Sequence, residues 1–113
     1  MRPRGPGLTS DALVAAFHDG EITFDGAAQE RPEIAWAAIV ALSRQQLTPK
    51  QIAVLAAGPL EDLLAHHGLS FIERIEKEAR VYAAFRHLLG GVWPSSIKPE
   101  VWRRVENIRG VAW

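Results

Sequence analysis

Residues 47–68 read LTPKQIAVLAAGPLEDLLAHHG and contain the start and stop signals of two short helices in succession. Thr48 is a candidate N-cap, and Pro49 suits the first helical position. Gln51 lies three residues after Thr48, where the second partner of a capping box belongs. These residues predict a helix that begins at about residue 49.

Two glycines in the same stretch predict where its helices end. Gly58 is expected to adopt a left-handed conformation that closes the first helix, and Pro59 is expected to open the second. Gly68 is expected to close the second helix in the same way. Because helices of eight or nine residues are marginally stable alone, they need other elements to pack against.

Helical spacing of apolar residues recurs in the rest of the chain, in residues 10–17, 32–42, 70–89 and 99–109. Residues 70–89 fit either one helix of about twenty residues or two of about ten. Residues 20–26, GEITFDG, alternate like a strand or a turn, but no second strand is available for pairing. We therefore predict an all-α fold, a compact bundle of six or seven short helices in a single domain.

Residues 34–42 are apolar on nearly every side of the predicted helix, which is typical of the buried centre of a domain. Residues 1–9 contain prolines and glycines that disfavour a helix, so we predict a flexible N-terminal arm followed by a helical domain over residues 10–113. Whether residues 1–31 pack on the core is left open. The residues expected in the core from this segment are Ile34, Trp36, Ile39, Val40 and Leu42.

The composition limits the classes of protein that need to be considered. The 113 residues are 48% hydrophobic and 23% charged, which is typical of a globular protein and not of a disordered one. The absence of cysteine rules out disulfides, thiolate nucleophiles and cysteine-based metal sites. The longest apolar run is far shorter than the roughly 18 residues that span a bilayer. We expect a cytoplasmic protein with no membrane partner and no cofactor.

Three segments resemble a bacterial family of domains of unknown function: LAAGPLEDLLAHHG at 55–68, FIERIEKEA at 71–79 and FRHLLGGVW at 85–93. The resemblance covers about residues 32–108. It implies a helical, intracellular bacterial protein and assigns no activity. Relatives of this kind often carry Asp-Pro at the positions of residues 82–83, which would favour two helices over 70–89.

Glu61, Asp62, His66 and His67 form a cluster of ionisable side chains. Asp62 and His66 are four residues apart, so a helix places them on one face, where a carboxylate can orient an imidazole for general-base catalysis or metal ligation. A structural role is the favoured interpretation, because acidic groups stabilise the start of a helix and donors stabilise its end. A hydrolase or metal enzyme built on Asp62 and His66 is the second alternative function.

Residues 47–58 also resemble the first helix of a helix-turn-helix DNA reader. The following helix, PLEDLLAHH, has two acidic residues and no Arg or Lys, which argues against contacts with phosphates and base edges. The final helix has a more basic surface, although acidic residues dilute it. Association with nucleic acid through this helix is the first alternative function, and its basic residues are Arg103, Arg104 and Arg109.

The preferred function is binding of another protein, or of a second copy of the chain, as a small non-enzymatic bacterial inhibitor, immunity or adaptor protein. Trp102 lies beside the apolar stripe of the last helix, and aromatic and arginine residues dominate interface hot spots. The predicted interaction patch is Trp102, Arg103, Arg109 and Trp113. Packing of these tryptophans in the core is the open alternative, and Trp93 is expected to anchor a loop.

Overall fold

Seven α-helices make up most of residues 8–110, the part of the chain that the structure, a computed structural model, describes. No strand occurs in these residues, which confirms the all-α prediction. None of the helices in residues 8–110 has the length and hydropathy needed to span a membrane. The helices are α1 Ser10–His18, α2 Ala27–Glu30, α3 Pro32–Ser43, α4 Pro49–Leu55, α5 Glu61–Val81, α6 Ala83–Leu89 and α7 Pro99–Arg109.

Every helix contributes buried apolar side chains to one continuous core, with α3 and α5 in contact with most of the others. Ile39 and Leu42 of α3 are fully buried, as predicted. Ile34, Trp36 and Val40 are only half-buried, so the expectation that the whole of α3 is core was wrong. One side of α3 carries small alanines that remain exposed, Ala37 and Ala41.

The described residues before α3 pack on the core. Leu13 and Phe17 of α1 are buried against α3. The GEITFDG segment forms a 3-10 turn, Phe24–Gly26, not a strand. Phe24 has a positive φ of 56° and is buried, with its ring edge-on to Phe17 at 6.3 Å. The turn therefore holds the N-terminal helix against the bundle.

The predicted capping box begins α4. The Gln51 amide donates to Thr48 Oγ1 at 3.1 Å, and the Thr48 amide donates to Gln51 Oε1 at 2.9 Å. The predicted end of this helix at Gly58 was wrong, because Gly58 does not take a left-handed conformation. The chain continues through a π-helical turn, Ala56–Leu60, into α5.

Proline explains the π-helical turn. Pro59 has no N–H and its ring clashes with the carbonyl of residue i−4 in a regular α-helix. In the turn, the amide of Glu61 donates to the carbonyl of Ala56, five residues earlier. This wider turn accommodates the proline without ending the helical path, which is why α4 and α5 are nearly continuous.

Gly68 was also expected to end a helix by adopting a left-handed conformation. The backbone does break at this place, because His67 has non-helical angles, φ −135° and ψ 25°, that divide α5 into two helical parts. Gly68 itself has no positive φ, so the expected left-handed ending is absent, and the helical path resumes as far as Val81. Gly68 is buried against α7, and a Cβ atom there would lie 2.9 Å from Val101 Cγ1. The glycine is needed for the close approach of two helices, not for a turn.

Residues 70–89 form two helices. The break is at Tyr82, whose backbone is extended with φ −118° and ψ 113°. Arg86 of α6 spans the break, because its guanidinium donates to the free carbonyl of Ala79 at 2.8 Å. Tyr82 does not continue the row of buried residues Ile72, Ile75 and Ala79 on α5, and it is 40% exposed.

Candidate functional site: a groove between α4, the loop after α6, and α7

A surface groove of about 370 Å³ lies between the end of α4, the loop that follows α6, and α7. Small residues make up much of its wall, and two tryptophans and one arginine provide its large side chains. We call it the Trp93–Trp102 groove. The residues that line it are Ala53, Ala57, Gly90, Gly91, Val92, Trp93, Pro94, Trp102 and Arg109.

The shape of the groove follows from the local sequence. Ala57 belongs to the π-helical turn, and Gly90 and Gly91 follow the last residue of α6. These positions have little or no side chain to fill the space, so the backbone itself forms part of the surface. A single large residue at any of them would reduce the volume that a ligand can occupy.

Trp93 is 68% exposed, although the loop that carries it is held on both sides. Its neighbours Val92 and Ile97 are buried in the core. The Trp93 amide donates to Glu61 Oε1 at 2.9 Å, and the Ile97 amide donates to the Pro94 carbonyl at 3.0 Å. The expectation that Trp93 anchors the loop was therefore wrong, because the two aliphatic residues do so and leave the indole in solvent.

Trp102 and Arg109 are seven residues apart on α7 and therefore lie on one face. The Arg109 guanidinium carbon is 4.8 Å from the centroid of the Trp102 ring, a cation–π contact. Both residues line the groove, whereas Arg103 is exposed outside it. Trp113, the fourth residue of the predicted interaction patch, lies outside the described residues.

The polar cluster Glu61, Asp62, His66 and His67 does not form a joint site. His66 Nδ1 donates to the backbone carbonyl of Asp62 at 3.0 Å and does not bond to its carboxylate. His67 Nε2 donates to the carbonyl of Gln29 at 2.7 Å and so ties α5 to α2. Glu61 instead fixes the loop that carries Trp93.

The carboxylate–imidazole pair expected from the spacing of Asp62 and His66 is thus absent. A helical histidine can reach the carbonyl four residues earlier, and here that contact uses the ring nitrogen nearest the backbone. Within residues 8–110, three or more potential metal ligands do not come together at any point. The sequence spacing correctly placed the residues near one another but could not show which atom of Asp62 the imidazole meets.

The arginines of α7 differ in their surroundings. Arg104 forms two hydrogen bonds to Glu76 of α5, at 2.9 and 2.5 Å, and these hold the pKa of the Glu76 carboxyl below its usual value. Arg109 lies in the groove with its side chain only 14% exposed. Among the arginines of the predicted basic surface of α7, Arg103 is exposed, Arg104 is partly exposed but paired with Glu76, and Arg109 is mostly covered.

Sequence reasoning missed Trp93 and the glycines beside it as site residues. A signal was present, because Val92 and Ile97 are apolar residues on either side of a short polar loop. Two such anchors allow the aromatic residue between them to be exposed. The sequence alone did not show that α4 and α7 would flank this loop.

The comparisons with known proteins agree with the sequence resemblance to a domain family. A family model matches residues 17–112, which includes all three segments that carried the resemblance. No curated protein and no solved structure matches the chain. Since the family model covers most of the sequence, the chain belongs to this family, described as a family of unknown function (DUF6869).

Proposed function

We propose that this domain works without catalysis, by binding a segment of another protein in the Trp93–Trp102 groove. The observation that carries the proposal is the exposed indole of Trp93 on a loop fixed by buried neighbours. A loop that is already held in place loses little backbone entropy on binding, and a tryptophan side chain offers a large contact area with only two χ angles to order. Tryptophan and arginine are also the residues most enriched in hot spots.

The dimensions and chemistry of the groove support a protein segment as its ligand. A volume of about 370 Å³ is large enough for one or two side chains of a partner. Its wall is mostly apolar, with Arg109 as its one charged lining residue. A nucleic-acid site needs several cations along a phosphate backbone, and Arg104 already pairs with Glu76.

The class of protein that we propose is a small bacterial inhibitor, immunity or adaptor protein that acts in the cytoplasm. Proteins of these classes present a preformed surface to one partner and need no cofactor. The proposal extends the predicted interaction patch, with Trp102 and Arg109, to include Trp93. Arg103, the remaining described residue of the predicted patch, is exposed on α7 and does not line the groove.

Affinity capture from a lysate of the native host, performed with and without nuclease treatment, tests the proposal. Three tagged proteins are compared: the native chain, Trp93→Ala and Val81→Ala. Val81 is 66% exposed at the end of α5 and does not line the groove, so it controls for the loss of exposed apolar surface. Far-ultraviolet circular dichroism checks that all three have the same helicity.

We expect one protein to be retained by the native chain and by Val81→Ala and to be lost with Trp93→Ala. Equal retention by Trp93→Ala would refute the role of the groove. Recovery that depends on intact nucleic acid would instead support the alternative in which α7 binds nucleic acid.

A further inference from the structure

The side chain of Arg109 is enclosed by the groove but incompletely hydrogen-bonded. It is only 14% exposed, and its Nε atom is buried without a hydrogen-bond partner. Among the described residues, Arg109 forms an ion pair with Glu106, whose Oε2 lies 4.0 Å from a terminal nitrogen of Arg109 and therefore beyond hydrogen-bonding distance. Glu106 is itself half-exposed to solvent.

The described residues that line the groove include no acidic side chain. The Trp102 ring contributes a cation–π contact, which does not supply a hydrogen-bond acceptor for the buried Nε–H of Arg109. A buried donor without an acceptor is unfavourable, and a guanidinium is best satisfied by a planar carboxylate that accepts two hydrogen bonds.

We infer that the groove recognises a segment of another protein in which an aspartate or glutamate lies close to a large apolar residue. The apolar side chain occupies the space between Trp93 and Trp102, and the carboxylate pairs with Arg109. This inference rests on the proposed function and adds the chemistry of the partner. It follows from charge complementarity, since Arg109, whose Nε–H lacks an acceptor, is the charged side chain among the described residues of a mostly apolar groove.

The different exposure of Trp93 and Arg109 indicates how the ligand's apolar side chain and its carboxylate are arranged in the groove. Trp93 is the exposed, outer residue, whereas Arg109 is mostly covered. A carboxylate must therefore enter beside the Trp102 ring to reach the guanidinium, while its apolar neighbour packs against both indoles. Such a ligand excludes water from the pair formed by Arg109 and the ligand carboxylate, and the lower local dielectric strengthens the hydrogen bonds between the two groups.

Selection from a random heptapeptide library displayed on phage tests the inference on the full chain. Four proteins are used as bait: the native chain, Arg109→Gln, Trp93→Ala and the control Arg103→Gln. Affinities of the selected peptides, synthesised with a fluorescent label, are then measured by fluorescence polarisation. Circular dichroism and thermal unfolding confirm that the variants fold, and Arg109→Lys serves as a second variant that keeps the charge but not the planar fork.

We expect the native chain and Arg103→Gln to enrich Asp or Glu within three residues of a large apolar residue. With Arg109→Gln the acidic preference should disappear, and the selected peptide should bind at least about tenfold more weakly, as expected for loss of a hydrogen bond to a charged group. Arg109→Lys should show an intermediate loss. Trp93→Ala should enrich no consensus.

Each contrary outcome has its own meaning. Selected peptides that depend on Trp93 but lack acidic residues would overturn this inference and leave the proposed function standing. Peptides that bind equally to Trp93→Ala would refute the proposed function itself. Trp113→Ala is measured with the same labelled peptides. A tenfold gain in peptide affinity in this variant would show that Trp113 of the chain itself competes for the groove, and would overturn the assignment to a partner.

Discussion

Because Gly68 lies against Val101, we predict that Gly68→Ala destabilises the protein, whereas the same substitution elsewhere in a helix usually stabilises it. Gly68 lies within α5 and has no positive φ, so an alanine can adopt its backbone conformation. In such a position Gly→Ala normally stabilises a protein by about 0.4–1 kcal/mol, because it restricts the unfolded chain. Here the new Cβ would lie 2.9 and 3.1 Å from the two methyl groups of Val101.

Those distances are well below ordinary van der Waals contact, so α5 and α7 must move apart or Val101 must leave its rotamer. Overpacking of this kind costs roughly 1–3 kcal/mol. After subtraction of the usual gain, we expect Gly68→Ala to lower the free energy of unfolding by about 1–2 kcal/mol. The helix that carries Trp102 and Arg109 would be displaced by the same change.

A double-mutant cycle with Val101→Ala isolates the clash. Removal of both methyl groups leaves Val101 Cβ, which would lie 3.4 Å from the new carbon. In that background Gly68→Ala should stabilise the protein by the usual amount, which gives a coupling of about 1.5–3 kcal/mol between the two sites. Gly58→Ala is the matched control, because its Cβ would meet only the Ile22 carbonyl at 3.5 Å.

Urea unfolding followed by far-ultraviolet circular dichroism gives the midpoint and slope for all five proteins. Stabilisation by Gly68→Ala in the native background would refute the reasoning, since it would mean that α5 and α7 are not in the contact described. Equal effects of Gly68→Ala with and without Val101→Ala would refute it as well. Gly58→Ala should be neutral or slightly stabilising.

Three further predictions concern an ion pair, the groove loop and a helix cap. Because Arg104 lowers the pKa of Glu76, that carboxylate stabilises the fold above its unfolded pKa near 4.5 and loses this effect as the pH falls through its lower folded pKa. Glu76→Gln should therefore lower Tm at pH 7 much more than at pH 3, as measured by differential scanning calorimetry; an equal change at both pH values would contradict the pairing. Glu61→Ala should accelerate hydrogen exchange of the Trp93 amide, because it removes the acceptor of that amide, whereas Glu61→Gln keeps an acceptor oxygen and should change the exchange rate little. Unchanged exchange in both variants would show that the hydrogen bond to Glu61 does not hold the loop. Thr48→Ala should cost about 1 kcal/mol of unfolding free energy in urea denaturation and Thr48→Ser much less, whereas equal losses would argue against a hydroxyl cap.

Local signals in the sequence predicted the elements whose causes are local. The capping box of Thr48 and Gln51 needs only residues three positions apart, and the structure contains it as expected. The end of α7 at Gly110 likewise depends on one residue with a positive φ. The all-α class followed from helical spacing repeated along the chain.

The expectations for two glycines failed for different reasons, one in the neighbouring residue and one in a distant helix. Gly58 and Gly68 have the same local appearance as helix-ending glycines. The first precedes a proline that a π-helical turn accommodates, and the second faces Val101 of another helix. No pattern within ten residues distinguishes a glycine that ends a helix from one that permits a close helix crossing.

The part of the candidate site that depends on spacing within one helix was predictable from the sequence, and the part that depends on packing between elements was not. Trp102 and Arg109 share a face of one helix, so their proximity follows from spacing alone. The exposure of Trp93 depends on the burial of Val92 and Ile97. It also depends on the hydrogen bond that the Trp93 amide donates to Glu61, 32 positions earlier in the chain. The groove exists only once three separate elements are packed together.

Hydrogen–deuterium exchange of the domain, free and in complex with the protein that it captures, tests the central claim most directly. The account predicts new protection in the loop of residues 90–98 and on the groove side of α7. The exposed surface of α5 around Leu69 and Val81 should exchange at the same rate in both states. Protection of that α5 surface with an unchanged loop would contradict the assignment of the Trp93–Trp102 groove as the binding site.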